Sequence, residues 1–585
     1  RLVETVTQRF SKAETSREHY EKIWLRSYRN YRGLYSPEVQ FTEAEKSRVF
    51  IKVTKTKVLA AYGQITDVLF SNGRFPLSVD PTVLPEGIAG DVHYDPAAEG
   101  KEESASPYGF AGDGVDLPAG ATESSLLLGS LESKLEGKDV KEGMGSSPTS
   151  VNYNPAMIAA KRMEKKIHDQ LEESEATKQL RSAAFELPLF GTGIMKGPMA
   201  VDKEYPDWDE EGTYTPTINT VPKVTYVSVW DFYPDPDASS ISECQYTIQR
   251  HKLNRSQLRE LKKRPFFRKT VIEDVITTGE NYTKKYWEDD LNDYQTDSGI
   301  DRFEVLEYWG VMDMDTLQQY EMEIPKELEE ADELQVNIWI CNGRVIRSVL
   351  NPFKPVRIPY YAVPYEHNPY SLFGIGLAEN MDDTQTLMNG FMRMAVDNAV
   401  LSGNLIFEVD ETNLVPGQDM SLYPGKVFRR QGGAPGQALF GTKYPNVSGE
   451  NLQLFDKARQ LADESTGLPS FSHGQTGVSG VGRTSSGISM LMNAAAGGIK
   501  TVIKNIDDYL LGPMGKSFFQ FNMQFNFDKG LRGDLEVKAR GTESLMANEV
   551  RSQRLLQFLQ VGANPNLAPW MKSQYIIREI AKSME

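Results

Sequence analysis

Gly477, Gly482 and Thr484 hold three of the four fixed positions of the phosphate-cradling pattern G-x-x-x-x-G-K-[ST], within "GQTGVSGVGRTSSG" (474–487). In such a loop, backbone N–H groups and a helix dipole surround the phosphates while the lysine reaches their outer end. That chemistry needs a buried strand before the glycines and a helix after them. A helical pattern does follow from Ser486, but "LPSFSHGQT" ahead of the loop has no strand character, and Arg483 stands where the lysine belongs. A flat guanidinium fork does not replace an ammonium point charge. No apolar strand ending in Asp offers to hold magnesium. The glycines are therefore expected to give a hinge loop its backbone freedom.

The remaining candidates read as architecture. "DPDASS" (235–240) opens like a calcium loop, but Ser240 takes the required glycine's place and Tyr246 that of the closing Glu, so a Pro-Asp-Ser turn is expected. "KKRPFFRK" (262–269) is the one dense basic patch, a solvated helix end or a contact to nucleic acid or a partner. "DWDEEG" (207–212) and "KELEEADEL" (326–334) are acidic runs of the kind that coat surfaces. His473 lies in the glycine loop, yet no Ser or Cys stands in a nucleophile's spacing with it. The six histidines and two cysteines, Cys244 and Cys341, show no zinc spacing, and so few cysteines fit a reducing compartment. No catalytic constellation, metal or cofactor is expected.

The elements that must position these residues are set by composition and period. With 585 residues the chain has room for several domain-sized units, and a formal charge of −17 argues against clamping DNA through clustered cations. No run approaches the roughly 18 apolar residues of a membrane span. No signal peptide is expected, and the whole reads as a soluble intracellular protein of α+β class. Residues 1–32 are helix-prone, with Tyr20, Trp24, Tyr28 and Tyr31 on one face. Thr42 and Glu45 have capping-box spacing ahead of a second helix over 57–70. Residues 82–154, rich in Gly, Ser and Pro, predict a flexible insertion. One helix is expected over 155–187, then a β-rich block from about 188 to 365 interrupted by a short helix at 254–263. Helices return at 376–403, with Met381, Met388, Phe391, Ala395 and Leu401 along one side, and at 450–467; short strands and turns (404–448) lie between them. A long helix from 486 to about 527 should soften at Gly497–Gly498 and kink at Gly512–Pro513. A strand at 534–540 and two terminal helices complete the pattern.

This succession resembles the portal proteins of tailed bacteriophages, and the long chain with helical ends looks like those of short-tailed phages. Local phrases agree: "VFIKVTKTKVLAAYGQITDVLF" (49–70), "LPLFGTGIMKGPM" (187–199), "VTYVSVWDFYPDPDA" (224–238) and "NPYSLFGIGLAENMDDTQTLMN" (368–389). The resemblance spans nearly the whole chain except 82–154 and implies a structural protein rather than an enzyme. It implies a homo-oligomeric ring, usually dodecameric, at one capsid vertex of the virion, assembled in the host cytoplasm. The ring would serve packaging and ejection of the viral genome. By the same resemblance, 1–81 is the amino-terminal helical part of the wing and 155–375 its helix and β-rich part. Residues 376–403 and 449–467 are stem helices, 404–448 the clip, 468–486 the tunnel loop, 487–540 the long kinked wing helix and strand, and 541–585 a helical crown. The clip would dock the terminase large subunit and later the head-tail adaptors, with Lys426, Arg429, Arg430 and Lys443 as contact residues. Major capsid and scaffolding proteins are the other expected partners, with no membrane. The tunnel loop would face double-stranded DNA through His473, Gln475 and Arg483, made mobile by Gly477, Gly480 and Gly482. The apolar faces of the two stem helices, at Met381, Met388, Phe391, Leu452 and Phe455, are expected to be exposed on one protomer and covered by its neighbours.

Overall fold

A computed structural model of the protein describes residues 1–82, 155–468 and 498–540, apart from short gaps at 44, 71–74, 209–213, 293–301, 321, 323, 329, 422, 435, 437, 527–528 and 532. The expectations placed on 83–154, 469–497 and 541–585 lie outside the described residues. The chain divides into a large unit (1–79, 162–532 and 536–585) and a small one (80–161 and 533–535). In the small unit the Thr82 amide donates to the Asp534 carbonyl at 3.2 Å, and its hydroxyl to the Asp534 carboxylate at 3.1 Å. The other elements lie wholly or mainly in the large unit.

Helices and sheets are mixed, as the α+β reading expects. The chain opens with α1 (Leu2–Arg32), closed by Gly33 in the left-handed conformation, and α2 (Val53–Phe70). After β1 (Leu77–Pro81) come α3 (Pro155–Glu173) and α4 (Ala176–Phe190). β2 (Thr192–Tyr205) and β3 (Thr217–Val227) pair as a long antiparallel hairpin. β4 (Phe232–Pro234), β5 (Tyr246–Asn254), β6 (Arg302–Asp313), β7 (Glu333–Cys341) and β8 (Arg344–Leu350) form an antiparallel meander in chain order. β9 (Tyr360–Pro364) returns to β2, giving a second sheet ordered β3-β2-β9.

Side-chain alternation decides which face of the meander is buried against what. Leu306 and Tyr308 of β6, with Ile248, Val336, Ile338 and Val345, meet Leu2, Val6, Phe10 and Ala13 of α1. Those four recur at helical spacing, and burying each larger side chain is worth about 1.5–3 kcal/mol. Phe303 and Val305 point the other way, to Leu258, Leu261, Ile272 and Val275 on the short helices Arg255–Leu261 and Lys269–Thr278. The second of these helices was not legible beside the expected 254–263. Asn342 and Gly343, both at positive φ, make the two-residue turn between β7 and β8.

Buried charges tie the two sheets and α1 together. Lys196 of β2 reaches both oxygens of Glu307 on β6, at 2.6 and 2.5 Å, and His251 and Trp309 add contacts at 2.7 Å. Burial alone would push the Glu307 carboxyl up, but the Lys196 ammonium and His251 hold it well below the usual range. Arg17 of α1, itself buried, donates to the carbonyls of Trp230 at 2.8 Å and Phe232 at 2.5 Å and pairs with Glu21. Asp235 accepts from the backbone amides of Asp237 and Gln245, which makes "DPDASS" the expected turn. Cys244 and Cys341 are both free and buried.

Three helix boundaries depart from expectation. The Thr42 amide does donate to the Glu45 carboxylate at 3.3 Å, yet among the described residues helix begins only at Val53, after a stretch whose amides are held by another element, described below. The segment 155–187 is two helices, broken at Glu175, whose φ is 53°. The late helix runs through 498–506 into a π-helical turn at Asp507–Leu511 before α7 (Gly512–Phe525). Pro513 lacks an N–H and crowds the preceding turn, and the Gly512 amide reaches back five residues to the Asp507 carbonyl. The irregularity thus falls just ahead of the expected kink. β12 (Leu535–Ala539) ends the described chain.

Candidate functional site

The residues that can face a partner or a conduit lie on a helical hairpin. After a single turn at Leu377–Asn380 and a break at Met381, α5 (Asp382–Gly403) runs out and α6 (Ser448–Thr466) returns. Between them β10 (Ile406–Val409) and β11 (Leu439–Thr442) pair antiparallel, Ile406 opposite Thr442. α5 buries Gln385, Met388, Asn389, Ala395 and Ser402, and α6 buries Phe455, Ala458 and Ala462. The small residues let the helix backbones approach. Asn398 fixes the return: its carbonyl oxygen accepts from the Val447 amide at 2.8 Å, and its amide donates to the Pro445 carbonyl at 3.3 Å.

A polar ridge on α5 grips the first turn of α2 and the chain ahead of it. Gln385 accepts from the Thr54 amide at 3.0 Å, Asn389 from the Ile51 amide at 3.0 Å, and Asp397 from the Ser47 amide at 2.8 Å. Arg393 lies over the rings of Tyr35 and Phe41, each at 5.1 Å. The four residues stand four apart, one ridge of a helix. At the far end of α6, buried Lys57 of α2 pairs with Asp463 at 2.8 Å and donates to Thr466 Oγ1 at 3.0 Å and the Leu468 carbonyl at 2.5 Å. Burial pushes this ammonium down, opposed by Asp463. A cation at a helix carboxyl end also meets the favourable end of its dipole.

The outward faces are unusually apolar. Leu387, Met394 and Leu401 are exposed on α5 at intervals of seven, and Leu454 and Leu461 on α6 continue from Val447 at the same interval. Seven-residue spacing keeps these side chains on one face of each helix, the position that one half of a heptad seam occupies. Leu405, Ile406, Val415, Tyr423, Val427, Phe440 and Tyr444 extend the exposed apolar surface over the insert. This corrects one expectation. Met388 and Phe455 are buried on the inner faces of the two helices, Met381 is buried at the break before α5 and Phe391 is half-buried; of the residues expected to be exposed, Leu452 is.

The base of the hairpin is built by close backbone approach. Gly191, at φ 83°, ends α4, and a Cβ there would lie 2.3 Å from the Gly374 carbonyl oxygen. The Tyr365 amide donates to the Gly191 carbonyl at 2.8 Å, and the Gly374 amide to Thr192 Oγ1 at 2.9 Å. The phrases "LFGTG" and "LFGIG" thus meet in space at the point where sheet becomes helix. The sequence model of the family described as phage SU10 portal protein matches residues 146–530, well over half of the chain. The chain belongs to this family of phage portal proteins. Portal proteins are structural components of the virion, and the family implies an oligomeric ring with capsid and DNA partners. Among the described residues no helix is long and apolar enough to cross a membrane.

Of the residues expected to contact partners in this portal protein, Arg429, Arg430 and Lys443 are exposed on the insert. Lys426 is half-buried, paired with Asp419 at 3.1 Å and lying over Tyr423 and Phe428. His473, Gln475, Arg483, Gly477, Gly480 and Gly482 lie outside the described residues. Gln385, Asn389, Arg393, Asp397 and Lys57 were not singled out. A run of polar residues every four positions on an apolar helix was the available signal for the first four; nothing local marked Lys57.

Proposed function

We propose that the protein forms a closed ring, dodecameric as portals usually are, through which double-stranded DNA enters and leaves the capsid. In this reading α5 and α6 are the stem and 404–448 is the clip, which docks the terminase large subunit during packaging and tail adaptors afterwards. The body before α5, with α7 and β12, is the wing, which meets major capsid and scaffolding proteins. The loop at 468–486 approaches DNA, with His473, Gln475 and Arg483 as transient phosphate contacts and its glycines supplying mobility. ATP is hydrolysed by the terminase.

The observation that carries this reading is the pair of outward seven-residue stripes on the hairpin. A single protomer leaves them in water, whereas like hairpins side by side cover them. A dozen copies of a −17 chain also repel a duplex carrying one charge per about 1.7 Å, which suits a low-friction conduit. Electron microscopy of the purified protein tests it. Rings with a central hole are expected, and a protein that stays monomeric at high concentration in every salt would overturn the proposal.

A further inference from the structure

Two outward features of opposite charge have no role in the stem or clip. The first is the loop between the short helices Arg255–Leu261 and Lys269–Thr278. Phe267 is buried there, edge-on to Trp339 at 5.4 Å and under Arg347 at 5.2 Å, and the Arg268 amide donates to the Ile346 carbonyl at 2.9 Å. With Phe267 pinned inward, Phe266 takes φ 65° and turns outward, 73% exposed. A bulky residue adopts that conformation at a cost, so the outward aromatic is held there by the surrounding structure. Lys263, Arg264, Arg268 and Lys269 are exposed around it. Arg268 leans on Tyr320, and no ion pair joins Lys263, Arg264 or Lys269 to a carboxylate among the described residues.

The second feature is the outer half of the β2–β3 hairpin. Beyond Val201 and Val221 its residues are mostly exposed, with Asp202, Glu204 and Asp207 in water. Trp208 and Tyr214 close on each other as an edge-to-face pair at 5.5 Å, and Trp208 and Ile218 are still 62% and 64% exposed. Large apolar side chains grouped in water on the described outer part of a hairpin offer a surface for a partner.

We propose that the β2–β3 arm of one copy lands on the Phe266 loop of the neighbouring copy, stacking Trp208 and Tyr214 against Phe266 and setting the arm's carboxylates against Lys263, Arg264 and Lys269. The contact joins two different surfaces, so repeating it around an axis adds a second, outer interface to a ring held by its stem. Basic residues beside an exposed aromatic also suit single-stranded nucleic acid. The arm on the same chain, complementary in both charge and aromatic character, favours a second copy instead. The inference rests on the ring reading above.

The test uses the full chain carrying Trp208→Cys and Phe266→Cys, treated with a short bifunctional maleimide under native conditions. Native Cys244 and Cys341 are buried and do not compete. A ladder of covalent multimers reaching the full ring is expected, absent from either single variant. Rings by microscopy with no ladder, or cross-links confined to one chain, overturn the contact while leaving the ring reading intact. Absence of rings in every condition overturns the ring reading and the contact with it. In a second arm, Arg264→Glu should slow reassembly of dissociated rings at least tenfold at low salt, with recovery when Glu204→Lys is added. If Arg264→Glu leaves assembly unchanged and lowers DNA retention instead, the loop serves nucleic acid and the proposal fails.

Discussion

Glu186 shows how single side chains hold the body that carries the hairpin. It is buried on α4 and accepts from the Tyr226 hydroxyl at 2.5 Å, the Ser228 hydroxyl at 3.0 Å and the Val229 amide at 3.1 Å. Burial pushes its carboxyl up to about 7 from 4.5, and those three donors oppose the shift without cancelling it. A carboxyl raised on folding stabilises fully below its unfolded pKa, and that contribution is lost as pH rises through the folded one. The shift corresponds to about 3 kcal/mol. Unfolding measured from pH 5 to pH 8 should therefore show stability falling by about 2–3 kcal/mol, a component that Glu186→Gln removes. An unchanged slope in that variant would assign the pH dependence elsewhere. Arg17 holds the same turn from the other side, through the carbonyls of Trp230 and Phe232.

At the scale of elements, the junction and the hairpin make separate demands. Gly191 has both a left-handed φ of 83° and the Gly374 carbonyl 2.3 Å from where a Cβ would sit. Gly191→Ala should cost about 2–5 kcal/mol, from the backbone conformation and the clash together, read as a fall in thermal midpoint or a loss of soluble protein. The exposed stripes are predicted to behave in the opposite way. Met394→Glu with Leu461→Glu touches surface that the protomer does not bury. Circular dichroism should stay as in the parent, within about 0.5 kcal/mol of its stability, while light scattering shows rings replaced by smaller species. Intact rings from that variant would move the intersubunit seam to another face.

On the scale of the whole molecule, body, hairpin and insert are joined so that the insert is separable. The pairs Ile406 to Thr442 and Val409 to Leu439 belong to the insert itself, while α5 and α6 are held by their own buried stripe and by Asn398. Replacing 406–442 by a short glycine-serine link should leave the hairpin helices and the ring, and abolish terminase docking in a packaging assay. Docking at the parental level by such rings would show that the insert is not the clip. The same rings should give no saturable ATP binding, and Arg483→Ala should change nothing in that assay.

Much of this architecture was set by local sequence. The β-rich character of 188–365 and the two long helices flanking 404–448 follow from period, which acts over a few residues; the Asn342-Gly343 turn, and the Asn254 side chain that caps the helix Arg255–Leu261 with Gln257, are equally local but were not singled out. The family was legible for the same reason, since the succession of elements is itself a local record. Tertiary structure decided what depends on a distant partner. Thr42 and Glu45 form their local bond, yet helix waits until Val53, after Asp397 and Asn389 have taken the amides of Ser47 and Ile51 and where Gln385 accepts from Thr54 in its first turn. Met381, Met388 and Phe455 went inward and Leu387, Met394 and Leu461 outward. An apolar helix offers two faces at nearly the same period, and only the packing of α5 on α6 chooses between them. Lys57 and Glu186 looked like ordinary charges until burial set them against Asp463 and Tyr226. A charge acquires such a role from the dielectric and the partners around it, and those exist only once chain segments far apart in sequence have met.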